Sequence, residues 1–451
     1  MWSPDISETH FKTGGASAAP TERFNSVINK KIKSRGFKMD FTDIKKPELL
    51  APAGDLNKLK IAITYGADAV YMGGQLYGLR ANSKNFKKEE MIEGIKFAHD
   101  RGKKVFVTAN IYAHNNDFAN MESFFYDLEE MKVDGAIISD VGVFSVARKI
   151  LKNTEIHIST QANNTNYQTA QFWKEQGASR VVLARELSLR EISEIYAKTN
   201  GEIELECFVH GAMCISYSGR CLLSNYMTGR DSNRGDCAQS CRWKYNLSEE
   251  KRPNEYMPVY EDERGTYIFN SKDLCTIKHI PELCKAGIKS FKIEGRMKSI
   301  YYVGSTIKAY REAIDTFFES EELYNQKKDY FYNEVTKNSH RDFTTGFYFG
   351  KTTGDSQIYT NSSYIRSHDF VGLVLEYDEQ TGYAKIEQRN KIVKGDKVEF
   401  FLQKGENFFQ TINEILDDKK NPIDEAPHPQ QIIYIKTDKP VKALDMLRME
   451  L

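Results

Sequence analysis

Five of the seven cysteines lie within residues 207–241, which makes them the residues best placed to do chemistry together. The last four are spaced C-x6-C-x15-C-x3-C and alternate with glycines, which let a backbone turn tightly enough to point several thiolates at one centre. Thiolates are soft ligands, and four of them suit a tetrahedral zinc or an iron–sulfur cluster. The spacing predicts a metal or cluster site formed by Cys214, Cys221, Cys237 and Cys241.

Two alternatives remain open at this stage. A structural zinc site usually comes as two tight cysteine pairs, whereas here Cys237–Cys241 is tight and Cys214–Cys221 is looser, so the spacing favours a cluster over zinc. Free cysteine is also among the most buried residue types, so a set of buried structural cysteines is the plainer interpretation. Cys207 falls within a strand pattern and is predicted to lie in the core, and Cys275 is the reserve ligand.

The composition limits the class of protein. With 451 residues, two domains are the natural expectation. Lysine plus arginine equals aspartate plus glutamate, at 63 each, so no overall field draws the chain to nucleic acid or membrane, although a local basic surface is not excluded. No apolar run is long enough to span a bilayer, and the first residues lack the order of a secretory signal. We expect a cytoplasmic protein without membrane partners, where crowded cysteines indicate metal binding or catalysis rather than disulfides.

The chemistry must be positioned by a regular scaffold. Eight short apolar runs alternate with amphipathic helical stretches, and strands apolar on both faces are typical of a parallel sheet covered by helices. This count predicts an α/β fold, a closed (β/α)8 TIM-like barrel over residues 47–341, with an open doubly wound sheet as the competitor. The predicted strands are 48–53, 69–74, 104–110, 135–140, 156–161, 180–185, 204–211 and 290–296.

Three further segments complete the predicted organisation. Residues 1–46 differ in composition and are expected to be a flexible leader, so a chain starting at Met39 should fold and work equally well. A long insertion, residues 212–289, follows the seventh strand and holds most of the cysteines, which places them at the carboxyl ends of the strands, where such barrels carry their active sites. Residues 342–451 alternate in short strands and predict a small C-terminal β-barrel domain, or a sandwich, for binding or docking.

Polar residues follow several predicted strands. His210 is a candidate base or ligand, with a structural histidine as the more common alternative. Glu294, Arg296 and Lys298 lie at the end of the eighth predicted strand. Arginine binds carboxylates through two hydrogen bonds, so these residues suit a carboxylate-bearing substrate, with a salt-bridged rim as the alternative. Five more polar residues at strand ends complete the predicted pocket: Asn110, Gln161, Asn163, Arg185 and Glu186. Of the pocket residues, Asn110, Gln161, Arg185 and Lys298 are taken as substrate-binding candidates.

Six motifs in order carry a family resemblance. They are ELLAPAGD, ADAVYMGG, FVHGAMCISYSGRCLLS, GDCAQSCRWKY, NSKDLC and KIEGRMKS. From about Glu48 to the carboxyl end the chain resembles the U32 family, historically called collagenase-like peptidases, and FTTGFYFG resembles the start of that family's C-terminal β-domain.

The resemblance carries expectations about chemistry. Several U32 members resemble oxygen-independent hydroxylation factors with a [4Fe–4S] cluster, acting on tRNA uridine 34, a ribosomal RNA cytidine or the ubiquinone ring. This chain looks most like the tRNA branch, which makes 5-hydroxyuridine and depends on prephenate. The resemblance implies Cys214, Cys221, Cys237 and Cys241 as cluster ligands, prephenate as co-substrate and the anticodon arm of tRNA as partner. We further infer His210, Glu294 and Arg296 as catalytic candidates, with Arg296 or Arg185 as the anchor of the dicarboxylate.

Three other hypotheses about function remain open beside that of an RNA-modifying enzyme acting on tRNA. A U32 peptidase is the older family description, but the sequence contains no HExxH motif and no Ser-His-Asp order that would mark one. A ribosomal RNA hydroxylation factor and a non-enzymatic cluster scaffold would both keep the cysteines, and the scaffold would need no polar pocket.

Overall fold

The fold is given by a computed structural model. It describes residues 44–75, 77–78, 85–213, 218–234, 236–242, 247–249, 252–257, 272–350 and 364–451. The predicted leader lies almost wholly outside these ranges, so its flexibility stays a prediction. Among the described residues, no helix is both long and apolar enough to cross a membrane.

Eight parallel strands close into a barrel. Each of the first six strands pairs with the next one along the chain, and the strand Ser290–Ile293 closes the barrel by pairing with both the seventh strand and the first. This closure confirms the predicted TIM-like barrel and excludes the open sheet. The strands of this part are β1 (Glu48–Pro52), β2 (Ala69–Met72), β3 (Lys104–Ala109), β4 (Gly135–Ile138), β5 (Glu155–Ile158), β6 (Arg180–Val182), β7 (Glu204–Ala212), β8 (Leu247–Glu249), β9 (Arg252–Met257), β10 (Asp273–Cys275), β11 (Ser290–Ile293) and β12 (Phe343–Thr344).

Helices alternate with the barrel strands and begin at capping side chains. Asp55, the second residue after the first predicted strand, accepts the backbone N–H of Lys58 at 2.9 Å and caps the first helix. Ser188 caps another helix together with Glu191. The helices are α1 (Leu56–Thr64), α2 (Lys88–His99), α3 (Met121–Glu130), α4 (Val141–Ile150), α5 (Tyr167–Glu175), α6 (Leu189–Lys198), α7 (Leu223–Thr228), α8 (Ile280–Lys285), α9 (Ile300–Glu319) and α10 (Glu321–Thr336).

The amino-terminal end of the barrel holds a buried ion network, here called the Arg180 network. The guanidinium of Arg180 contacts carboxylate oxygens of Glu48 at 2.7 Å, Glu204 at 2.7 Å and Glu206 at 3.0 Å. Lys292 contacts the other oxygen of Glu206 at 2.6 Å. Burial raises the pKa of Glu206, but the charges of Lys292 and Arg180 outweigh burial and hold that pKa below its ordinary value.

The segment after α10 joins the barrel rather than the C-terminal domain. β10 runs antiparallel to β7, and β12 pairs in parallel with β10. The hydroxyl of Tyr348 donates to the carbonyl of Phe208 in β7. Residues 342–350, which the sequence assigns to the C-terminal domain, therefore extend the barrel sheet, because their strand pairs with the far end of the insertion.

The C-terminal part is all-β, as predicted. Its main sheet is antiparallel, in the order β17-β16-β22-β13-β14-β21-β18-β19, and β15 pairs with β20. The predicted barrel form of this domain stays a prediction. The strands are β13 (His368–Asp378), β14 (Tyr383–Gln388), β15 (Ile392–Val393), β16 (Lys397–Phe401), β17 (Phe408–Thr411), β18 (Ile415–Leu416), β19 (Pro422–Ile423), β20 (Glu425–Ala426), β21 (Ile432–Lys436) and β22 (Met446–Glu450).

A buried arginine fastens this domain to the barrel helices. Arg448 in β22 contacts Glu399 in β16 at 2.7 Å and Glu334 in α10 at 2.9 Å. Nearby, the rings of Tyr65 and Phe401 stack with their centroids 5.6 Å apart. Since the carboxylates come from both domains, the contact fixes the β-domain against the barrel.

Candidate functional site

The insertion leaves the barrel where β7 lies very close to β11. Gly211 has φ +110°, and a Cβ there would lie 2.7 Å from the carbonyl oxygen of Glu294. Glycine is required at this position because both the conformation and the space exclude a side chain. The chain therefore turns out of β7 at the carboxyl end of the barrel and carries the cysteines to that face, as the sequence predicts.

Three of the four predicted ligands are described, and all three are partly exposed: Cys221, Cys237 and Cys241. Cys214 lies outside the described residues. Among the described residues, no group of three or more histidine, cysteine, aspartate or glutamate side chains forms a metal site, so the ligand set stays a prediction. The donor chemistry nevertheless fits a thiolate-ligated group, because Gln239 has φ +55° and its backbone N–H donates to Cys237 Sγ at 3.4 Å. Such a contact stabilises a thiolate.

The other three described cysteines differ from these in being buried. They are Cys207, Cys275 and Cys284. Burial raises the pKa of each thiol, to about 12 for Cys275. Cys207 thus lies in the core, as predicted. A ligand must be a thiolate, which burial disfavours at Cys275, so the structure favours the three insertion cysteines over the reserve ligand.

Arg296 reaches from the end of β11 across the end of β2. Its guanidinium donates to Asn85 Oδ1 at 3.1 Å, and its carbonyl accepts Lys58 Nζ at 3.3 Å. A Cβ at Gly73 would lie 2.4 Å from Arg296 Nη2, so the glycine after β2 makes room for the guanidinium. The side chain is buried and held at the rim of the barrel.

Asn110 follows β3, and Gln161 lies in the segment after β5, both at the carboxyl ends of the barrel strands. Asn110 Nδ2 donates to Ser159 Oγ at 3.2 Å. The carbonyl of Gln161 accepts the hydroxyl of Tyr112 at 2.9 Å, and the same hydroxyl donates to the carbonyl of Gly219 in the insertion. Tyr112 therefore joins β3, the segment after β5 and the insertion. Sequence reasoning missed Tyr112; its place in the short segment that follows the third strand was the available signal.

Arg185 and Glu186 follow β6. The guanidinium of Arg185 lies over the ring of Phe208, 3.9 Å from its centroid. The carboxylate of Glu186 accepts the backbone N–H of Ser218 at 2.9 Å and its hydroxyl at 3.1 Å. Glu186 thus anchors the insertion to the rim, a role that only the fold reveals.

His210 is buried among aromatic rings. The hydroxyl of Tyr310 lies 3.4 Å from Nδ1, and the ring centroid of Phe343 lies 5.4 Å from that of the imidazole. Burial, assisted by His340 and Lys298, lowers the pKa of His210 to about 3, so the ring is neutral at neutral pH. This environment favours the structural alternative, and the catalytic role of His210 stays a prediction.

Glu294 and Lys298 occupy the rim beside α9. The carbonyl of Glu294 accepts the hydroxyl of Tyr302 at 3.0 Å. Lys298 Nζ lies 5.2 Å from the ring centroid of Tyr302 and 4.8 Å from that of Tyr364. The structure thus places all the described pocket candidates at strand ends on the carboxyl-terminal face, and it places His210 behind them in the core.

A closed α/β barrel with a polar rim, a cysteine-bearing insertion and an appended β-domain defines the class of this protein. A sequence model of peptidase family U32 matches residues 54–358, and one of the U32 C-terminal domain matches residues 366–448. The chain belongs to the U32 family.

Three curated relatives show where in the family the similarity is high. The chain is 47% identical over 404 residues to tRNA hydroxylation protein P1 of Bacillus subtilis (strain 168), covering 90% of this chain and 95% of the relative. It is 39% identical to tRNA hydroxylation protein P of Escherichia coli (strain K12), with coverage of 84% and 90%. It is 34% identical to the 23S rRNA 5-hydroxycytidine C2501 synthase of Escherichia coli (strain K12), with coverage of 70% and 47%.

Proposed function

We propose that this protein is an RNA-modifying enzyme that hydroxylates tRNA, forming 5-hydroxyuridine at the wobble position 34. The observation that carries the proposal is the similarity to tRNA hydroxylation protein P1, at 47% identity over nearly the full length of both chains. The polar rim and the insertion at the carboxyl end of the barrel support it, since chemistry in such barrels is carried out there.

In this proposal a [4Fe–4S] cluster is held by Cys214, Cys221, Cys237 and Cys241, with zinc as the alternative occupant. The cluster would supply one-electron chemistry without molecular oxygen. The contact between the Gln239 N–H and Cys237 Sγ supports thiolate ligation at this position.

We further propose prephenate as the co-substrate. Prephenate carries two carboxylates, and a guanidinium binds a carboxylate through two parallel hydrogen bonds. Arg296 and Arg185 are the candidate anchors, with Lys298, Asn110 and Gln161 as further binding residues on the same rim. The β-domain, fixed to the barrel through Arg448, would help to dock the anticodon arm of tRNA, and the protein would act in the cytoplasm.

Mass spectrometry of tRNA nucleosides tests the reaction. The host is a strain whose own U32 proteins have been deleted, complemented with the wild-type chain or with Cys214→Ser. We expect 5-hydroxyuridine derivatives with the wild type and none with the variant. An unmodified tRNA profile with well-expressed wild-type protein would contradict the proposal.

Anaerobic purification tests the cofactor independently. About four irons and four sulfides per chain are expected of a [4Fe–4S] protein. One tightly bound zinc without iron would contradict the redox mechanism.

One relative favours a second substrate, ribosomal RNA, because the 23S rRNA 5-hydroxycytidine C2501 synthase is 34% identical over 70% of this chain. Because the identity and coverage are lower for this relative, ribosomal RNA is the second candidate substrate after tRNA. The same nucleoside digestion applied to ribosomal RNA distinguishes the two, since 5-hydroxycytidine would then depend on the chain. Peptide hydrolysis is supported by the family description alone.

A further inference from the structure

The short helix α7 in the insertion presents apolar side chains to solvent. Leu222 is 73% exposed and Tyr226 is 87% exposed. The backbone N–H of Tyr226 donates to the carbonyl of Leu222 at 2.9 Å, so the two residues lie one helical turn apart on one face. We call this face the Leu222–Tyr226 ridge. Exposed apolar side chains grouped on one face commonly mark a binding surface.

The ridge is held rigidly beside the cysteines. On the inner face of α7, Ser224 is buried, its hydroxyl accepts the backbone N–H of Ala238 at 2.9 Å and it donates to the carbonyl of Asp236. At the start of the helix, Asn233 Nδ2 donates to the carbonyl of Cys221 at 2.8 Å. These bonds tie α7 to the loop that carries Cys237, so the exposed tyrosine is pre-organised next to two of the predicted ligands.

The composition of the sequence that contains the ridge favours one class of partner. In a chain whose total charge is zero, residues 218–244 contain more basic than acidic side chains. An aromatic surface within a basic segment is the combination that binds unpaired nucleotides, because bases stack on the ring while phosphates meet the cations. The basic residues of this stretch are Arg220, Arg230, Arg234, Arg242 and Lys244, and the acidic ones are Asp231 and Asp236, of which Asp236 pairs with Arg230 at 2.6 Å.

We propose that the Leu222–Tyr226 ridge is a stacking platform for an unpaired nucleotide of an RNA loop. An enzyme that modifies a base must hold it away from its neighbours in the stack. The ridge would hold a loop nucleotide beside the cysteine-bearing mouth and so orient the base that reacts. This inference rests on the proposed function, and it adds the surface by which the RNA is recognised.

Binding of an unmodified anticodon stem–loop RNA to the full-length, anaerobically purified protein tests the platform. Tyr226→Ala should weaken Kd about 10-fold, which is the size expected for one lost stacking contact, and Leu222→Ala should weaken it less. Tyr226→Phe keeps the ring and should bind like the wild type. The matched control is Tyr126→Ala, which removes a tyrosine that is 61% exposed on α3. A hairpin whose stem is closed by a minimal loop should bind all variants alike.

The outcomes separate this inference from the proposed function. Wild-type affinity in both Tyr226→Ala and Leu222→Ala, with hydroxylation intact, would overturn the platform and leave the reaction standing. Failure of the wild-type protein to bind or modify any RNA would overturn both. If Tyr226→Ala lost binding to a protein partner and kept its affinity for RNA, the ridge would be a protein-docking surface and the proposal would be contradicted. Iron content and thermal melting of each variant establish that it is folded.

Discussion

The two ends of the barrel use charged residues in different ways. At the amino-terminal end, the Arg180 network satisfies a buried guanidinium with three carboxylates, all from residues of the strands themselves. At the carboxyl-terminal end, Arg296 contacts an amide and Arg185 lies on an aromatic ring, and the insertion brings three thiols to the same face. One end therefore stabilises the barrel, and we propose that the other positions groups for chemistry, the division that is usual in this fold.

The largest effect should come from the cysteines at the carboxyl end. We expect the anaerobically purified wild type to contain iron and sulfide and Cys221→Ser to lose them, because a serine hydroxyl is a poor ligand for iron–sulfur clusters. Cys284→Ala, which removes a buried thiol of α8, is the matched control and should keep them. Iron and sulfide analysis measures both, and a full complement in Cys221→Ser would remove this residue from the ligand set.

At the opposite end, removal of one charge should affect stability rather than chemistry. Arg180→Met leaves several carboxylates around a buried position without their counter-charge, so the free energy of unfolding should fall by about 3–5 kcal/mol. Urea denaturation measures the change. The surface variant Lys96→Met, which removes an exposed ion pair with Asp100, should change it by less than about 1 kcal/mol. Equal stabilities of Arg180→Met and the wild type would show that the network contributes nothing to the fold.

A smaller, kinetic effect is expected at the rim. Arg296→Lys keeps the positive charge but loses the planar pair of donors, so KM for prephenate should rise about 10-fold with little change in iron content. Arg185→Lys, measured in parallel, shows which arginine is the anchor. Steady-state kinetics at varied prephenate concentration make the measurement, and unchanged KM values in both variants would exclude these arginines as anchors.

The variant expected to change the protein least at neutral pH is one at His210, which should alter how the free energy of unfolding depends on pH. The pKa of His210 is lowered to about 3 in the folded protein, whereas an unfolded histidine titrates near about 6.5. As the pH decreases, the histidine of the unfolded chain is protonated at a higher pH than the buried ring of the folded chain. The contribution of His210 to the free energy of unfolding is therefore fully present above about pH 6.5, and it falls by about 1.4 kcal/mol per pH unit as the pH decreases toward 3. His210→Gln should reduce this slope by that amount. Denaturation curves between pH 6.5 and 4.5 test it, with exposed His428→Gln as the control; an unchanged slope would contradict the buried, neutral ring.

Much of the scaffold was predictable from the sequence because its signal is local. The runs ELLAPA and KVFVTAN are apolar on both faces, and this pattern alone marks strands of a covered parallel sheet. The position of the insertion follows from the same count. The cysteine spacing predicted a metal-binding region, although Cys214 lies outside the described residues.

The contacts that could not be predicted from the sequence join residues that are distant in the chain. Arg448 contacts a glutamate 114 residues away, and Tyr112 contacts Gly219 across 107 residues. The placement of residues 342–350 depends on the pairing of β12 with β10. A strand-end tyrosine or a buried arginine carries no mark of its partner in a single sequence, so these contacts required the folded chain.

We propose that the carboxyl end of the barrel carries out tRNA hydroxylation, while the amino end serves stability. The most direct test measures 5-hydroxyuridine derivatives in tRNA, per unit of folded protein, in the deletion strain carrying the wild type, Cys237→Ser or Arg180→Met. We predict no modified nucleoside with Cys237→Ser at normal protein levels, and a wild-type yield per folded molecule with Arg180→Met. Full modification by Cys237→Ser, or a folded but inactive Arg180→Met, would contradict the account.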